Sequence, residues 1–335
     1  MTLQTTIFKA AILFFLSSTI LPQEPDFFKI TTKRLSERAV VISGTQFNTN
    51  QILLKSEKGL ILIDTGISPE FAREIKKVAL KEFNTNHFTF VINTHYHWDH
   101  VQGNQVFTDA LIVAHKNCAV HMRRQNSTKR PVRITQNEKP EGNPKSGTIP
   151  PPPPSHILID GTAGYSLKTP DIGFSNHLTI DAGDLTLYLL WYGEGHTNND
   201  IIIYCPEEAV LAVGDLFYKK SLPPFNQEMN LDVPKWLQTL DWILDETRSI
   251  RTVVPGHNEL FSREDLILYR NYISILWEET GKAVSDGYSL QETQKKFDLK
   301  RRFPALQKRD NVGNNGGSLH KGNVEAIWRQ QKKIK

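Results

Sequence analysis

The residue types that bind catalytic metal ions are concentrated in one short segment of the sequence. Residues 94–100 read Thr-His-Tyr-His-Trp-Asp-His, which places three histidines and one aspartate within six positions. In an extended segment or a tight loop, His95 and His97 project to the same side, and Asp99 and His100 can fold back around a second point. Imidazole nitrogen and carboxylate oxygen are the ligands that zinc takes at catalytic sites. The segment therefore predicts a metal site.

Three further candidate ligands follow downstream, each beside a glycine and near the end of a predicted strand. They are His196, Asp215 and His257, and each is directly preceded by glycine. Glycine allows the backbone to approach a crowded site closely. One histidine after glycine is typical of a turn, but three such positions in this order after the first segment form a joint signal.

The elements that must position these residues are predicted from hydrophobic periodicity. Apolar residues at three- and four-residue spacing predict a helix over 69–83. Apolar and β-branched runs predict strands over 39–43, 51–55, 59–66, 88–93, 111–114, 177–180, 185–191, 201–204 and 210–213. Further helices are predicted over 236–246, 263–284 and 290–297. We therefore expect one αβ domain with a helical C-terminal extension.

With these motifs in this order, the sequence resembles the metallo-β-lactamase superfamily from about Val40 to His257. The resemblance implies an α/β fold of the αββα sandwich type, in which two β-sheets face each other between helices. It places the metal site at one edge of the sandwich, in loops at strand ends. The predicted strands end at the candidate ligands, which agrees with that placement.

The resemblance also implies how the candidate ligands divide between two metal ions. His95, His97 and His196 would bind the first ion. The second ion would be bound by Asp99, His100 and His257. Asp215 would bridge both ions, and Asp64 would hold the histidine loop by hydrogen bonds. Two zinc ions are the expected cofactors, although a mixed nitrogen and oxygen ligand set also suits iron or manganese.

The implied reaction is the hydrolysis of an ester, lactone, thioester or amide. A water molecule between two cations has its pKa lowered toward about 7 and becomes the nucleophile. Asp99 is predicted to orient this hydroxide and to carry its proton. Tyr218 matches the position of a lactonase tyrosine that polarises the substrate carbonyl, and a packing tyrosine is the alternative. The sequence has no Gly-x-Ser-x-Gly elbow and no phosphate-binding loop motif, so serine hydrolases and P-loop proteins lack support.

Asp215 favours the branch of glyoxalase II-like thioesterases and lactonases, but three other functions stay open. Zinc β-lactamases generally lack this aspartate. One group of them has a cysteine ligand nearby, whereas Cys205 lies ten residues too early. A mononuclear iron dioxygenase of the persulfide type also keeps the His-x-His-x-Asp-His motif. A non-catalytic metal or ligand carrier would be expected to have lost ligands, and no ligand is missing here.

The composition of the 335 residues excludes several classes of protein. With 39% hydrophobic and 23% charged residues, the chain is neither wholly disordered nor a polytopic membrane protein. A net charge of +4 is too small to indicate nucleic-acid binding by itself, and the resemblance to a family of hydrolases implies a small-molecule substrate. Two cysteines exclude a disulfide framework and a four-cysteine zinc site. Cys118 and Cys205 are expected to be buried thiols.

The N-terminal segment is predicted to be an export signal. Lys9 precedes the apolar run 10–21, which is too short for a membrane-spanning helix of roughly 20 residues. A secretory signal is therefore predicted over 1–24, with a periplasmic or extracellular enzyme and no stable membrane span after cleavage.

The remaining segments are assigned by composition. The catalytic domain is expected over 25–260, and a helical extension with a basic tail over 261–335. The last 41 residues carry 12 Lys or Arg against three acidic residues, which predicts a solvated, partly disordered tail. The proline-rich stretch 123–156 predicts an irregular surface insertion. Composition leaves the oligomeric state open.

Overall fold

Two β-sheets packed face to face, with helices on their outer surfaces, form the body of the computed structural model. This is the predicted αββα sandwich, so the fold prediction is confirmed. The structure describes residues 28–44, 48–127, 165–191, 193–219, 221–223, 225, 232–245, 248–310 and 318–334. The predicted signal and the proline run 150–154 lie outside these residues.

Twelve strands in the described part of the chain divide into a sheet of seven and a sheet of five. The larger sheet contains, in spatial order, β1 (Thr31–Arg34), β2 (Ala39–Ser43), β3 (Asn50–Ser56), β4 (Gly59–Ile63), β5 (Phe88–Ile92), β6 (Leu111–His115) and β7 (Ile172–Phe174). The smaller sheet contains, in spatial order, β12 (Thr252–Pro255), β11 (Val210–Gly214), β10 (Ile202–Cys205), β9 (Thr186–Leu190) and β8 (His177–Asp181). The strands from β4 to β7 are parallel, as are β11 and β12.

Nine α-helices and one short 3-10 helix are found among the described residues. The α-helices are α1 (Pro69–Phe83), α2 (Trp98–Val101), α3 (Lys116–Ser127), α4 (Val233–Ile243), α5 (Arg263–Ser285), α6 (Leu290–Lys296), α7 (Leu299–Arg302), α8 (Pro304–Gln307) and α9 (Leu319–Ile334). The predicted bounds of α1 are correct because both ends carry strong signals. The Ser68 hydroxyl accepts a hydrogen bond from the Phe71 amide, and Asn84 closes the helix in a left-handed conformation with φ 55°.

The alternating side chains of the larger sheet separate two apolar cores. Val41 and Ile61 face the smaller sheet and pack with residues such as Ile203. Val40 and Leu62, their neighbours along the strands, face outward and pack beneath α1. Both faces are therefore apolar, which explains why these strands appear in the sequence as continuous hydrophobic runs.

The basic C-terminal segment is not the solvated tail that its charge predicts. Its residues Leu319–Ile334 form α9, in which Val324 and Ile327 are fully buried in a core shared with the smaller sheet, α4 and α5. His320 and Asn323 lie on the same buried face. The buried residues of this face recur at three- and four-residue spacing along α9, while Lys321 and the other lysines of the helix lie outside the face. The prediction was wrong because the charge count concealed an amphipathic helix.

The predicted insertion 123–156 also begins later than its composition indicates. Helix α3 continues to Ser127, so the first five residues of that stretch are helical. Cys118 and Met122, one turn apart, anchor the helix, with Sγ and Sδ 3.8 Å apart in a small apolar cluster. Residues 128–156 lie outside the described part of the chain. None of the described helices is long and apolar enough to span a bilayer.

The burial of α9 predicts that its apolar face stabilises the whole protein. We expect Ile327→Ala to lower the free energy of unfolding by about 2–5 kcal/mol, because it removes a fully buried aliphatic side chain. Lys333→Ala, on the exposed side of the same helix, should change it by less than about 0.5 kcal/mol. Urea denaturation measures both values. Equal stability of the two variants would mean that α9 does not pack as described.

Candidate metal centre

The candidate ligands lie in loops that follow strand ends at one edge of the sandwich. Asp64 directly follows β4, and His95 comes three residues after the end of β5. Asp215 directly follows β11, and His257 comes two residues after the end of β12. Because β4 and β5 are parallel neighbours, as are β11 and β12, the carboxyl ends of each pair meet at the same edge.

Backbone hydrogen bonds join the two sheets at this edge. The Ile201 amide donates to the Thr94 carbonyl at 2.9 Å, which ties the start of β10 to the loop after β5. The Asn50 amide donates to the Gly256 carbonyl at 2.7 Å, which ties β3 to the loop that carries His257. The loops of both sheets are thereby held against each other.

Asp64 is the centre of a hydrogen-bond network that orients the histidine loop. This buried residue adopts φ 60°, and its carboxylate accepts from the Thr94 amide at 2.8 Å and the Thr94 hydroxyl at 2.7 Å. Since the hydroxyl proton is directed at Asp64, Thr94 Oγ1 accepts from His95 Nδ1 at 3.1 Å. His100 Nδ1 donates to Asp64 Oδ2 at 2.9 Å. Both histidines are thus held through Nδ1, which leaves Nε2 of each ring facing the clusters, where it can bind a metal ion.

The first cluster brings together His95, His97, His196 and Asp215, whose ligand atoms all lie within 4.8 Å of one another. His97 Nδ1 is 3.0 Å from His95 Nε2 and 3.0 Å from His196 Nε2. Asp215 Oδ2 is 3.7 Å from His95 Nε2 and 3.6 Å from His196 Nε2. Three nitrogens and one oxygen therefore surround one point.

The second cluster brings together Asp99, His100 and His257, also within 4.8 Å. His257 Nε2 is 3.2 Å from Asp99 Oδ2 and 3.3 Å from His100 Nε2. Asp215 contributes here as well, because its Oδ1 is 3.4 Å from His100 Nε2 and its Oδ2 is 3.4 Å from His257 Nε2. Asp215 therefore lies between the two clusters and faces both.

The donor set fits two metal cations better than it fits hydrogen bonding alone. His97 Nδ1 carries at most one proton, yet it faces two other ring nitrogens at 3.0 Å each. Among the described residues, the buried Asp215 Oδ1 has no hydrogen-bond partner of suitable geometry. Ligand atoms bound tetrahedrally to zinc at about 2.05 Å are about 3.3 Å apart, close to the separations found in both clusters.

The electrostatics of the two clusters differ. Burial and the neighbouring His196 lower the pKa of His97 to about 3, so its ring is neutral, the form that binds metal. Burial alone would also lower the pKa of His257, but the carboxylates of Asp215 and Asp99 raise it to about 10. The negative charge that favours a proton on His257 equally favours a metal cation in its place.

Tyr218 lies beside His257, where the sequence predicts a substrate-polarising residue. Its ring centroid is 5.9 Å from that of His257, and its side chain is half-buried. Burial and the nearby carboxylate of Asp215 raise the pKa of Tyr218 well above its ordinary value. The hydroxyl is therefore protonated and able to donate a hydrogen bond.

Two supporting residues were not predicted from the sequence. Asp200, which is buried, accepts from the Thr197 amide at 2.6 Å and from the Thr197 hydroxyl at 2.8 Å, and so fixes the loop that carries His196. Asn50 donates through its side chain to the Pro255 carbonyl at 2.9 Å, beside the His257 loop. Asp200 could have been found as the last residue of the His-Thr-x-x-Asp pattern, whereas Asn50 has no local sequence signal.

Gly256 is required by the close approach of its backbone to the site. A Cβ atom at this position would lie 2.1 Å from Asp215 Oδ1 and 2.9 Å from His100 Cε1. Both atoms belong to candidate ligand residues, so any larger side chain would displace them. This observation gives the physical reason for the glycine that precedes His257 in the sequence.

The family model of the metallo-beta-lactamase superfamily matches residues 44–257, which is more than half of the chain. The chain therefore belongs to the metallo-beta-lactamase superfamily, and the predicted family is confirmed. It is a hydrolase of this superfamily, with a histidine–aspartate cluster that can bind metal.

Curated relatives include two proteins named metallo-beta-lactamase type 2. The one from Bacillus cereus is 23% identical over 222 residues, which cover 66% of this chain and 71% of the relative. The one from Bacteroides fragilis is 27% identical over 128 residues, which cover 38% of this chain and 51% of the relative. The match to the second relative therefore spans about half of its length.

Solved structures share the fold at lower sequence identity. A metallo-beta-lactamase from Pontibacter korlensis has a TM-score of 0.53 and 17% identity, covering 73% of this chain and 99% of that one. The sec-alkylsulfatase Pisa1 from Pseudomonas sp. has a TM-score of 0.64 and 16% identity. That match covers 90% of this chain but only 50% of the alkylsulfatase chain. At these identities the similarity shows the fold alone.

The network around Asp64 predicts that this carboxylate controls metal affinity without binding metal. Asp64→Asn replaces an acceptor oxygen with a donor, so His100 and Thr94 cannot both keep their hydrogen bonds. We expect zinc affinity to fall by about 10- to 100-fold, measured by competition with a chromophoric chelator. Asp286→Asn, at the exposed end of α5, is the matched control and should bind zinc like the parent. Unchanged affinity in a folded Asp64→Asn protein would contradict the assigned role.

Proposed function

We propose that the protein is an exported dinuclear zinc hydrolase that cleaves an ester, lactone, thioester or amide. The observation that carries this proposal is the position of Asp215, whose two carboxylate oxygens face ligand atoms of both clusters. A single carboxylate shared in this way suits two cations held side by side, rather than one mononuclear site.

Each cluster has a defined part in the proposed reaction. Two divalent cations, when bound, supply a water of lowered pKa as the nucleophile and stabilise the negative charge that develops on the substrate. His95, His97 and His196 would hold one cation, while Asp99, His100 and His257 would hold the other. The Asp99 side chain is 14% exposed at the open side of the site, where it can accept a proton from the attacking water and later deliver it.

Tyr218 is proposed to bind the substrate carbonyl. Its ring lies beside His257 and its hydroxyl lies near the Asp215 carboxylate, so the hydroxyl can donate to an oxygen that approaches the two clusters. This contact strengthens as negative charge develops on that oxygen in the transition state, which lowers the barrier rather than simply improving binding.

The position of Cys205 supports an aspartate-type site over a zinc β-lactamase with a cysteine ligand. Cys205 is buried at the end of β10 and pairs with Val210, the first residue of β11. Asp215 follows the last residue of β11, so about 13–17 Å of strand separates the thiol from the site. Both cysteines are buried and free, as expected from the sequence.

The ligand set predicts that turnover depends on His97 and on metal. Purified protein should contain about two zinc equivalents, and His97→Ala should reduce hydrolysis to the background rate because it removes one ligand. His87→Ala, an exposed histidine before β5, is the matched control and should retain parental activity. Mass spectrometry measures the metal content. Hydrolysis is measured with a panel of lactone, thioester, phosphodiester, alkyl sulfate and β-lactam substrates.

The same panel separates the proposal from its alternatives. Turnover confined to a β-lactam such as nitrocefin would identify a β-lactamase, in line with the names of the relatives. Oxygen uptake with a persulfide and one bound iron would identify a dioxygenase. Full activity in metal-free protein would refute the metal mechanism outright.

The role of Tyr218 predicts a loss of rate more than a loss of binding. Tyr218→Phe keeps the ring and removes the hydroxyl, so we expect kcat to fall by about 100-fold with little change in KM. Steady-state kinetics on the best substrate of the panel measure this. A variant with parental kcat would leave Tyr218 as a packing residue.

Export is proposed from residues 1–24 alone, because the short apolar run after Lys9 is typical of a signal peptide. Cell fractionation tests it: the full chain should be found outside the cytoplasm in a shortened form, and a chain lacking 1–24 should stay in the cytoplasm. Equal distribution of both chains would reject export by this segment.

A further inference from the structure

One buried hydroxyl of the helical extension contacts the segment that carries Tyr218. Tyr269, on α5, is fully buried, and its hydroxyl donates to the backbone carbonyl of Tyr218. The same oxygen lies 3.2 Å from the Lys219 carbonyl and 3.0 Å from the Ser221 carbonyl. Three carbonyl oxygens of one segment therefore converge on a single side-chain atom.

A cation behind this hydroxyl compensates the converging carbonyl dipoles. A hydroxyl has one proton and cannot donate fully to three acceptors. Arg309 Nη1 donates to Tyr269 Oη at 2.8 Å, and Arg309 Nη2 pairs with Asp265 at 2.9 Å. The Arg309 carbonyl also accepts from the Leu222 amide at 2.9 Å. Arg309 therefore supports the hydroxyl and binds the end of the same segment.

The aromatic ring of Tyr269 fixes the start of the segment. It stacks on Phe217, with ring centroids 5.8 Å apart, immediately before Tyr218 in the chain. Phe217 itself is only two residues after Asp215, the residue shared by both clusters. The backbone on both sides of Tyr218 is thus attached to Tyr269 and Arg309, and the Tyr218 ring is presented beside His257.

We propose that Tyr269 and Arg309 are positioning residues, which hold the backbone of Tyr218, Lys219, Ser221 and Leu222 so that the Tyr218 hydroxyl meets the substrate carbonyl. The inference rests on the proposed role of Tyr218. It adds two residues of the helical extension to those that support the site. Neither residue is among the candidate ligands, and both act through the backbone that they bind.

A double-mutant cycle tests whether Tyr269 acts through Tyr218. Tyr269→Phe keeps the ring stack and removes the hydroxyl, so we expect kcat to fall by about tenfold with KM nearly unchanged, as for a slightly misplaced group. In the Tyr218→Phe background, Tyr269→Phe should cause no further fall, because the hydroxyl that it positions is gone. Arg309→Gln removes the supporting charge and should behave in the same way.

Tyr272→Phe is the matched control. Tyr272 is equally buried on α5, but its hydroxyl bonds His320 and Asn323 instead of the Tyr218 segment. It should lower the melting temperature without changing kcat. Equal falls of kcat for Tyr269→Phe in both backgrounds, or parental kcat in the single variant, would overturn the proposal.

A spectroscopic readout separates this proposal from the role of Tyr218 itself. Fluorine NMR of 3-fluorotyrosine placed at position 218 should show one resonance that shifts or broadens in Tyr269→Phe and stays unchanged in Tyr272→Phe. If Tyr218→Phe has parental kcat, the proposed role of Tyr218 is wrong, and the fluorine spectrum alone then tests whether Tyr269 positions Tyr218. An unchanged resonance in Tyr269→Phe would overturn the proposal that Tyr269 positions Tyr218.

Discussion

The candidate metal centre depends on the placement of one buried carboxylate, Asp64. Through Thr94 and His100 it orients one histidine in each cluster, so the two clusters are coupled before any ion binds. Its own backbone conformation, with φ 60°, turns the chain sharply at the end of β4. The left-handed turn at Asp64 and its buried carboxylate are stable here because Thr94 and His100, in the adjacent segment, donate hydrogen bonds to that carboxylate.

The packing of the two sheets against each other brings candidate ligands to the site from two sides. One sheet supplies the histidine loop after β5, and the other supplies Asp215 and His257 after its two parallel strands. Apolar side chains between the sheets fix their separation, and hydrogen bonds such as Asn50 to Gly256 fix the edge. Neither sheet alone contains a complete set of ligands, so the packing of the core determines the geometry of the centre.

The parts of the structure with a local signal could be predicted from the sequence, and those without one could not. The histidine segment, the strands before it and the caps of α1 are encoded within a few residues. The buried face of α9 was missed because high charge outweighed a short apolar pattern. Asn50 and Tyr269 reach their partners across 205 and 51 residues of sequence, a separation that no local pattern records. The predicted metal ligands are brought together, but which ions they bind is a question of chemistry that spacing alone does not answer.

The shared core of α9 has a consequence for the order in which the molecule is assembled. Asn323 donates to the Pro223 carbonyl and accepts from the Phe225 amide, so α9 holds the chain just beyond the Tyr218 segment. A ribosome makes α9 after every candidate ligand. During synthesis the chain therefore carries every candidate ligand before α9 exists to hold the chain beyond Tyr218. The support of this segment is thus complete only when the last described helix has been made.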